Sequence, residues 1–72
     1  MKKVFKLKDL DCANCARKME DAIRRIDGVE DVQISFMLQK MTLVADDARF
    51  DAIVDEAAKC IRRVEPDCVI VR

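Results

Sequence analysis

The segment DCANCARKMEDAIRRIDG, residues 11–28, contains a pair of cysteines, an amphipathic pattern and a glycine in close succession. Apolar side chains recur every three or four positions across residues 13–26, and charged side chains fill most positions between them. This spacing predicts one amphipathic helix over residues 13–26. Gly28 favours the left-handed conformation in which many helices end, so the chain is expected to turn there into an extended segment. The apolar positions of the predicted helix are Ala16, Met19, Ala22, Ile23 and Ile26.

Extended segments are predicted on both sides of this helix. Apolar and polar side chains alternate over residues 3–8 and again over residues 29–36, which is the period of half-buried strands. Residues 37–39 are expected to reverse the chain, although they lack the Asn-Gly or Asp-Gly pair typical of tight hairpins. Residues 40–45 then form a third predicted strand.

The second half of the chain repeats the helix and ends on a further strand. Asp46 and Asp47 provide a cap and a favourable charge for a helix whose apolar stripe runs over residues 50–64. Pro66 blocks further helix, and the apolar residues 68–71 form a short final strand. The stripe consists of Phe50, Ile53, Val54, Ala57, Cys60, Ile61 and Val64.

The predicted order is strand, helix, strand, strand, helix, strand, in two halves of 36 residues. This order is that of the ferredoxin-like βαββαβ fold, an α+β architecture in which two helices cover one face of a four-stranded antiparallel sheet. A chain of 72 residues supports one hydrophobic core. Residues 1–72 are therefore expected to form a single domain.

The composition argues against several functions. Fourteen basic residues balance fourteen acidic ones, so the charge gives no reason to expect nucleic acid as a partner. The longest apolar run, residues 68–71, is far shorter than the roughly 18 residues of a membrane span, so no membrane insertion by this chain is expected. Charged residues near the start interrupt any signal peptide, which favours a cytoplasmic location. Histidine is absent, so a transition-metal site must use thiolates and carboxylates.

Cys12 and Cys15 are placed where the first predicted strand meets the first helix. Two thiolates at this spacing can converge on one metal ion, and a helix N-terminus favours their negative charge. Thiol-disulfide oxidoreductases use the same arrangement, so the spacing alone leaves metal binding and redox chemistry open. Asp11, directly before Cys12, is either a third metal ligand or an ordinary helix N-cap.

The other sulfur and carboxylate groups have simpler expected roles. Cys60 lies on the apolar stripe of the second helix and Cys68 in an apolar strand, so both are expected to pack in the core. Met19 and Met41 are likewise expected to be core residues rather than metal ligands. Glu65 follows the second helix, where the fold can bring it near the cysteines, and is either a solvated loop carboxylate or an extra oxygen ligand.

Four parts of the sequence resemble the heavy-metal-associated domain family. They are Leu10-Asp11-Cys12-Ala13-Asn14-Cys15-Ala16, Lys18-Met19-Glu20, Ala22-Ile23 and Gly28-Val29. The resemblance implies a ferredoxin-like fold with Cys12 and Cys15 as metal ligands. The sequence departs from the common pattern at Asp9, where glycine is usual, and at Leu10, where methionine is usual, and no Gly-Tyr follows the second helix. Asp11 resembles the acidic residue that joins the two cysteines in zinc-, cadmium- and lead-exporting P-type ATPases.

The resemblance implies a protein that binds a heavy-metal ion and performs no catalysis itself. Zn²⁺ or Cd²⁺ is the expected ion, with Pb²⁺ and Cu⁺ as further candidates, and Cys12, Cys15 and Asp11 are the expected ligands. The implied role is a regulatory or delivery domain of a metal-exporting P-type ATPase, with the rest of that ATPase or another metal-carrying domain as partner. A freestanding cytosolic metallochaperone is the alternative. A small thiol-disulfide oxidoreductase is the third interpretation.

Overall fold

A computed structural model of the protein, which describes residues 1–71, confirms the predicted order of strands and helices. Neighbouring strands are antiparallel, and their order across the sheet is β2-β3-β1-β4. This arrangement confirms the α+β, ferredoxin-like fold. The elements are β1 (Lys2–Lys8), α1 (Ala13–Arg24), β2 (Val29–Ser35), β3 (Lys40–Ala45), a 3₁₀ turn (Asp47–Arg49), α2 (Phe50–Val64) and β4 (Val69–Val71).

The core lies between the two helices and one face of the sheet, since both helices contact each other and the strands. Met19 of α1 and Met41 of β3 have no exposed surface, which confirms both as core residues. No polar or charged side chain is buried among residues 1–71, so the core is wholly apolar. Within the same residues, no helix combines the length and hydrophobicity needed to cross a membrane.

The first helix ends earlier than the periodicity predicts. α1 stops at Arg24, because the backbone tightens and the Ile26 N–H donates to the Ile23 carbonyl, three residues back, at 3.0 Å. Gly28 then adopts the predicted left-handed conformation, with φ of +97°. A Cβ atom at Gly28 would lie 2.9 Å from Cδ1 of Ile53, so the available space also favours glycine here.

The turn between β2 and β3 starts one residue earlier than predicted, because β2 ends at Ser35 and not at residue 36. Phe36, Met37 and Leu38 form the apex of the turn, and these residues are 36%, 88% and 67% exposed. Gln39 closes the turn with a positive φ of 53°. This conformation is uncommon for glutamine and is usually adopted by glycine, asparagine or aspartate. Because glutamine occupies the position, the sequence shows no familiar turn signal.

Candidate metal centre

The cysteine pair lies in the metal loop, defined as residues 9–15, which joins β1 to α1 and includes the first turn of that helix. Asp9 opens the loop with a φ of 62°. Aspartate tolerates this left-handed conformation better than most residues do, and glycine tolerates it best. Leu10 follows and is only 2% exposed, so it anchors the loop in the core. The loop is therefore fixed at its start, directly before the candidate ligands.

Cys12 is the N-cap of α1. Its backbone is extended, with φ of −137° and ψ of 123°, and its Sγ accepts a hydrogen bond from the Cys15 N–H at 3.4 Å. Hydrogen bonding from Cys15, first from its backbone N–H and then from its side chain, lowers the pKa of Cys12 below its ordinary value. The structure thus favours the Cys12 thiolate before any metal binds.

Cys15 lies in the first turn of the helix, partly buried against the core. Its hydrogen bond to Cys12, together with desolvation and the charges of Cys12 and Glu65, raises the pKa of Cys15 to about 11. Cys12 is therefore the more readily ionised of the two thiols, and Cys15 keeps its proton at neutral pH. A metal ion that takes both sulfurs must displace the Cys15 proton.

Asp11 is exposed and does not cap the helix. The N-cap interpretation of this residue is wrong, because the Cys12 sulfur already accepts the capping hydrogen bond. Among residues 1–71, the Asp11 carboxylate makes no hydrogen bond or ion pair. The carboxylate is therefore not held by any competing partner in this part of the chain.

Glu65 is the carboxylate that the fold brings to the cysteine pair. It follows α2 directly, and it is among the groups that raise the pKa of Cys15. The interpretation of Glu65 as a merely solvated loop carboxylate is therefore incomplete. Within residues 1–71, however, no three cysteine, aspartate or glutamate side chains already converge as a metal-binding group. Any third donor must move toward the two sulfurs when an ion binds.

The other two cysteines belong to the core, as predicted. Cys68 is fully buried, and burial, followed by the charges of Glu65, Asp9 and Asp11, raises the pKa of its thiol. Cys60 of α2 is partly buried and packs against the same core. All four thiols of the chain are free.

Sequence reasoning missed one residue at this end of the molecule. The Gln39 side chain reaches back from the β2–β3 turn and hydrogen-bonds to the backbone of Leu10, inside the metal loop. The two residues are 29 positions apart. Only a positive φ at the end of a hairpin hints at a special role for Gln39, and φ is not readable from the sequence.

Comparison with known proteins identifies the family. The model of the heavy-metal-associated domain matches residues 4–65. The chain belongs to the heavy-metal-associated domain family. Its relatives include a zinc/cadmium/lead-transporting P-type ATPase of Shigella sonnei, which is 38% identical over 61 residues, or 81% of this chain and 8% of the ATPase. Another is the copper chaperone CopZ of Enterococcus hirae, which is 33% identical over 52 residues, or 72% of this chain and 75% of the chaperone.

The solved structures agree with this assignment. The N-terminal domain of ZntA, determined in its Zn(II) form, superposes with a TM-score of 0.73 at 27% identity, covering 97% of this chain and 88% of that domain. This heavy-metal-associated domain spans only 8–10% of the length of the matched ATPases, so the ATPase parts are not in this chain. What is shared is a domain that binds heavy metals.

Replacing Glu65 with glutamine is expected to lower the pKa of Cys15. Glu65 is among the groups that raise this pKa, because its negative charge opposes ionisation of the thiol. The pH dependence of iodoacetamide labelling at Cys15, followed by mass spectrometry on the metal-free protein, measures the change. Asp67→Asn is the matched control, because Asp67 is an exposed carboxylate two positions further along and does not contribute to the Cys15 shift. Identical labelling profiles for Glu65→Gln and the wild type would contradict the proximity of Glu65.

Proposed function

We propose that residues 1–72 act as one cytoplasmic domain that binds Zn²⁺, Cd²⁺ or Pb²⁺ through Cys12 and Cys15, with Asp11 as third ligand. In this proposal the domain delivers metal to, or regulates, a metal-exporting P-type ATPase. One observation carries the proposal: the Cys12 sulfur caps α1, which leaves Asp11 beside the cysteine pair with its carboxylate uncommitted among residues 1–71.

The choice of metal follows from the donor set. Cu⁺ is soft and is satisfied by two thiolates, whereas Zn²⁺ accepts mixed sulfur and oxygen donors and favours four of them. Cys12, Cys15 and Asp11 supply three donors and leave one position open. A partner's ligand can enter an open position before an existing ligand leaves, as metal transfer requires. Glu65, which is among the groups that raise the pKa of Cys15, is a candidate within this chain for the fourth position.

The relatives support a transporter context. The 38%-identical relative carries zinc, cadmium and lead in its name, and the matched region is a small part of a much longer protein. In this context the present domain holds the ion with its own residues, and the rest of the transporter uses ATP.

A freestanding copper chaperone is the second candidate function. It is favoured by the match to CopZ, which covers 75% of that chaperone and shows that a protein of similar size consists largely of this domain. The third interpretation, a thiol-disulfide oxidoreductase, is disfavoured by the surrounding family match, which extends over residues 4–65.

The Asp11→Asn substitution tests the choice of metal. It removes the charged oxygen donor with almost no change in size, so we expect the Zn²⁺ affinity to fall by at least about 10–100-fold, the usual cost of losing even an outer-shell partner. The Cu⁺ affinity should change by less than about threefold, because two thiolates satisfy that ion. Competition titrations of the fully reduced protein against chelators of known affinity for Zn²⁺, Cd²⁺ and Cu⁺ measure the affinity of the protein for each ion.

Asp9→Asn is the matched control for this experiment. It makes the same change of charge two positions away, and asparagine also tolerates the left-handed conformation found at residue 9. If Asp9→Asn weakened Zn²⁺ binding as much as Asp11→Asn does, general charge and not ligation would explain the effect. Weak Zn²⁺ binding by the wild type, with tight Cu⁺ binding that is indifferent to Asp11, would favour the copper chaperone instead.

A further inference from the structure

Gln39 makes an unusual set of hydrogen bonds at the metal-binding end of the domain. Its side-chain Oε1 accepts from the Leu10 N–H at 3.0 Å, and its Nε2 donates to the Leu10 carbonyl at 2.7 Å and to the Phe36 carbonyl at 2.9 Å. Its own carbonyl accepts from the Leu7 N–H at 2.7 Å. One residue thus holds the end of β1, the metal loop and its own turn together.

The amide of Gln39 extends the sheet past the end of its regular ladder. The pairing of β1 with β3 ends at Lys6 and Lys40. Beyond that point, Gln39 and Leu10 exchange an N–H and a carbonyl in both directions, as two paired strand residues do. The backbone of the metal loop is therefore held two residues before Cys12.

We propose that Gln39 is a positioning residue of the metal site, which restrains the metal loop and thereby slows the release of the bound ion. This inference rests on the proposed function for the identity of the ligands, but the restraint itself exists in the metal-free protein. Within residues 1–71, Gln39 makes no hydrogen bond to Asp11, Cys12 or Cys15. It acts through Leu10, whose buried side chain and doubly bonded backbone fix where the loop begins.

Only a side chain with both a donor and an acceptor can make this contact. A glutamine amide offers one oxygen and two N–H donors, whereas a carboxylate offers acceptors alone. In a Gln39→Glu variant the bond from the Leu10 N–H can persist, but the carboxylate faces the carbonyls of Leu10 and Phe36 without a donor. Gln39→Ala removes all three side-chain bonds. The two variants therefore separate the acceptor from the donor function.

Amide hydrogen exchange in the metal-free protein tests the restraint. We expect the Leu10 amide to exchange at least about tenfold faster in Gln39→Ala, because two bonds to that residue are lost and local opening becomes more frequent. Gln39→Glu should give an intermediate acceleration. Glu20→Ala is the matched control, because Glu20 likewise clamps a backbone N–H, that of Ile34 at 2.8 Å, without contacting the metal loop. Unchanged exchange at Leu10 in Gln39→Ala would overturn the proposal.

Release of Zn²⁺ to an excess of a coloured chelator, followed by stopped flow, tests the consequence. We expect release to be about tenfold faster in Gln39→Ala, while Glu20→Ala releases the ion at the wild-type rate. Equal acceleration in both variants would mean that general loss of stability and not loop restraint sets the rate, and would overturn the inference. Wild-type protein that binds no metal would refute the proposed function, a failure that the exchange experiment distinguishes because it needs no metal.

Discussion

Zn²⁺ binding is expected to fall by at least about 100-fold when Cys12 is replaced by serine, and by a similar factor for Cys15→Ser. Four-ligand structural zinc sites contribute about 10–16 kcal/mol, or roughly 3 kcal/mol per ligand, and 1.4 kcal/mol is a factor of ten. Serine keeps the size of the side chain but supplies a hydroxyl that remains protonated where the thiol would ionise. Isothermal titration of the reduced variants, with a competing chelator for the wild type, measures the loss.

The matched control for this prediction is Cys60→Ser. Cys60 is a free, partly buried thiol of the same chain, located on α2 and packed against the core. The same chemical change there should leave the Zn²⁺ affinity within about threefold of the wild type, since no ligand is lost. If Cys60→Ser reduced binding as much as Cys12→Ser, the ion would be held elsewhere, and the assignment of the metal loop would be wrong.

The fold was largely readable from the sequence because its signals are local. The amphipathic stripe of α1, the alternation in the strands and the left-handed Gly28 each depend on a few neighbouring residues. The errors occurred at the ends of elements. α1 ends at Arg24 because hydrogen bonds to the carbonyl three residues back replace those to the carbonyl four residues back. The spacing of apolar residues does not predict this change.

The site was less readable, because its details depend on contacts and not on residue types. Propensity makes aspartate a far better N-cap than cysteine, yet the backbone places Cys12 at that position and leaves Asp11 exposed before it. The effect of Glu65 on the pKa of Cys15 connects residues from the two halves of the chain. The bonds between Gln39 and Leu10 depend on the tertiary fold, which brings the β2–β3 turn beside the metal loop.

The apparent metal affinity is expected to rise steeply with pH. The pKa of Cys15 is raised to about 11 by its hydrogen bond to Cys12, by desolvation and by the charges of Cys12 and Glu65. At pH 6–8 the Cys15 thiol therefore keeps its proton until a metal ion displaces it. Each unit of pH then changes the apparent affinity by at least about tenfold, so binding at pH 6 should be at least about 100-fold weaker than at pH 8. Wherever Cys12 is also protonated, the dependence becomes steeper.

Calorimetry in two buffers with different ionisation enthalpies counts the protons released on Zn²⁺ binding, and chelator competition across pH 6–8 gives the affinity. One proton or more per ion is expected, because the raised pKa of Cys15 keeps that thiol protonated in the metal-free protein. An affinity that did not change with pH would mean that both sulfurs are already ionised, which would contradict the raised pKa of Cys15. Protons and the metal ion compete for the same sulfurs, so a fall in pH favours release of the ion. Protonation of Cys15 is the step through which the lower pH acts.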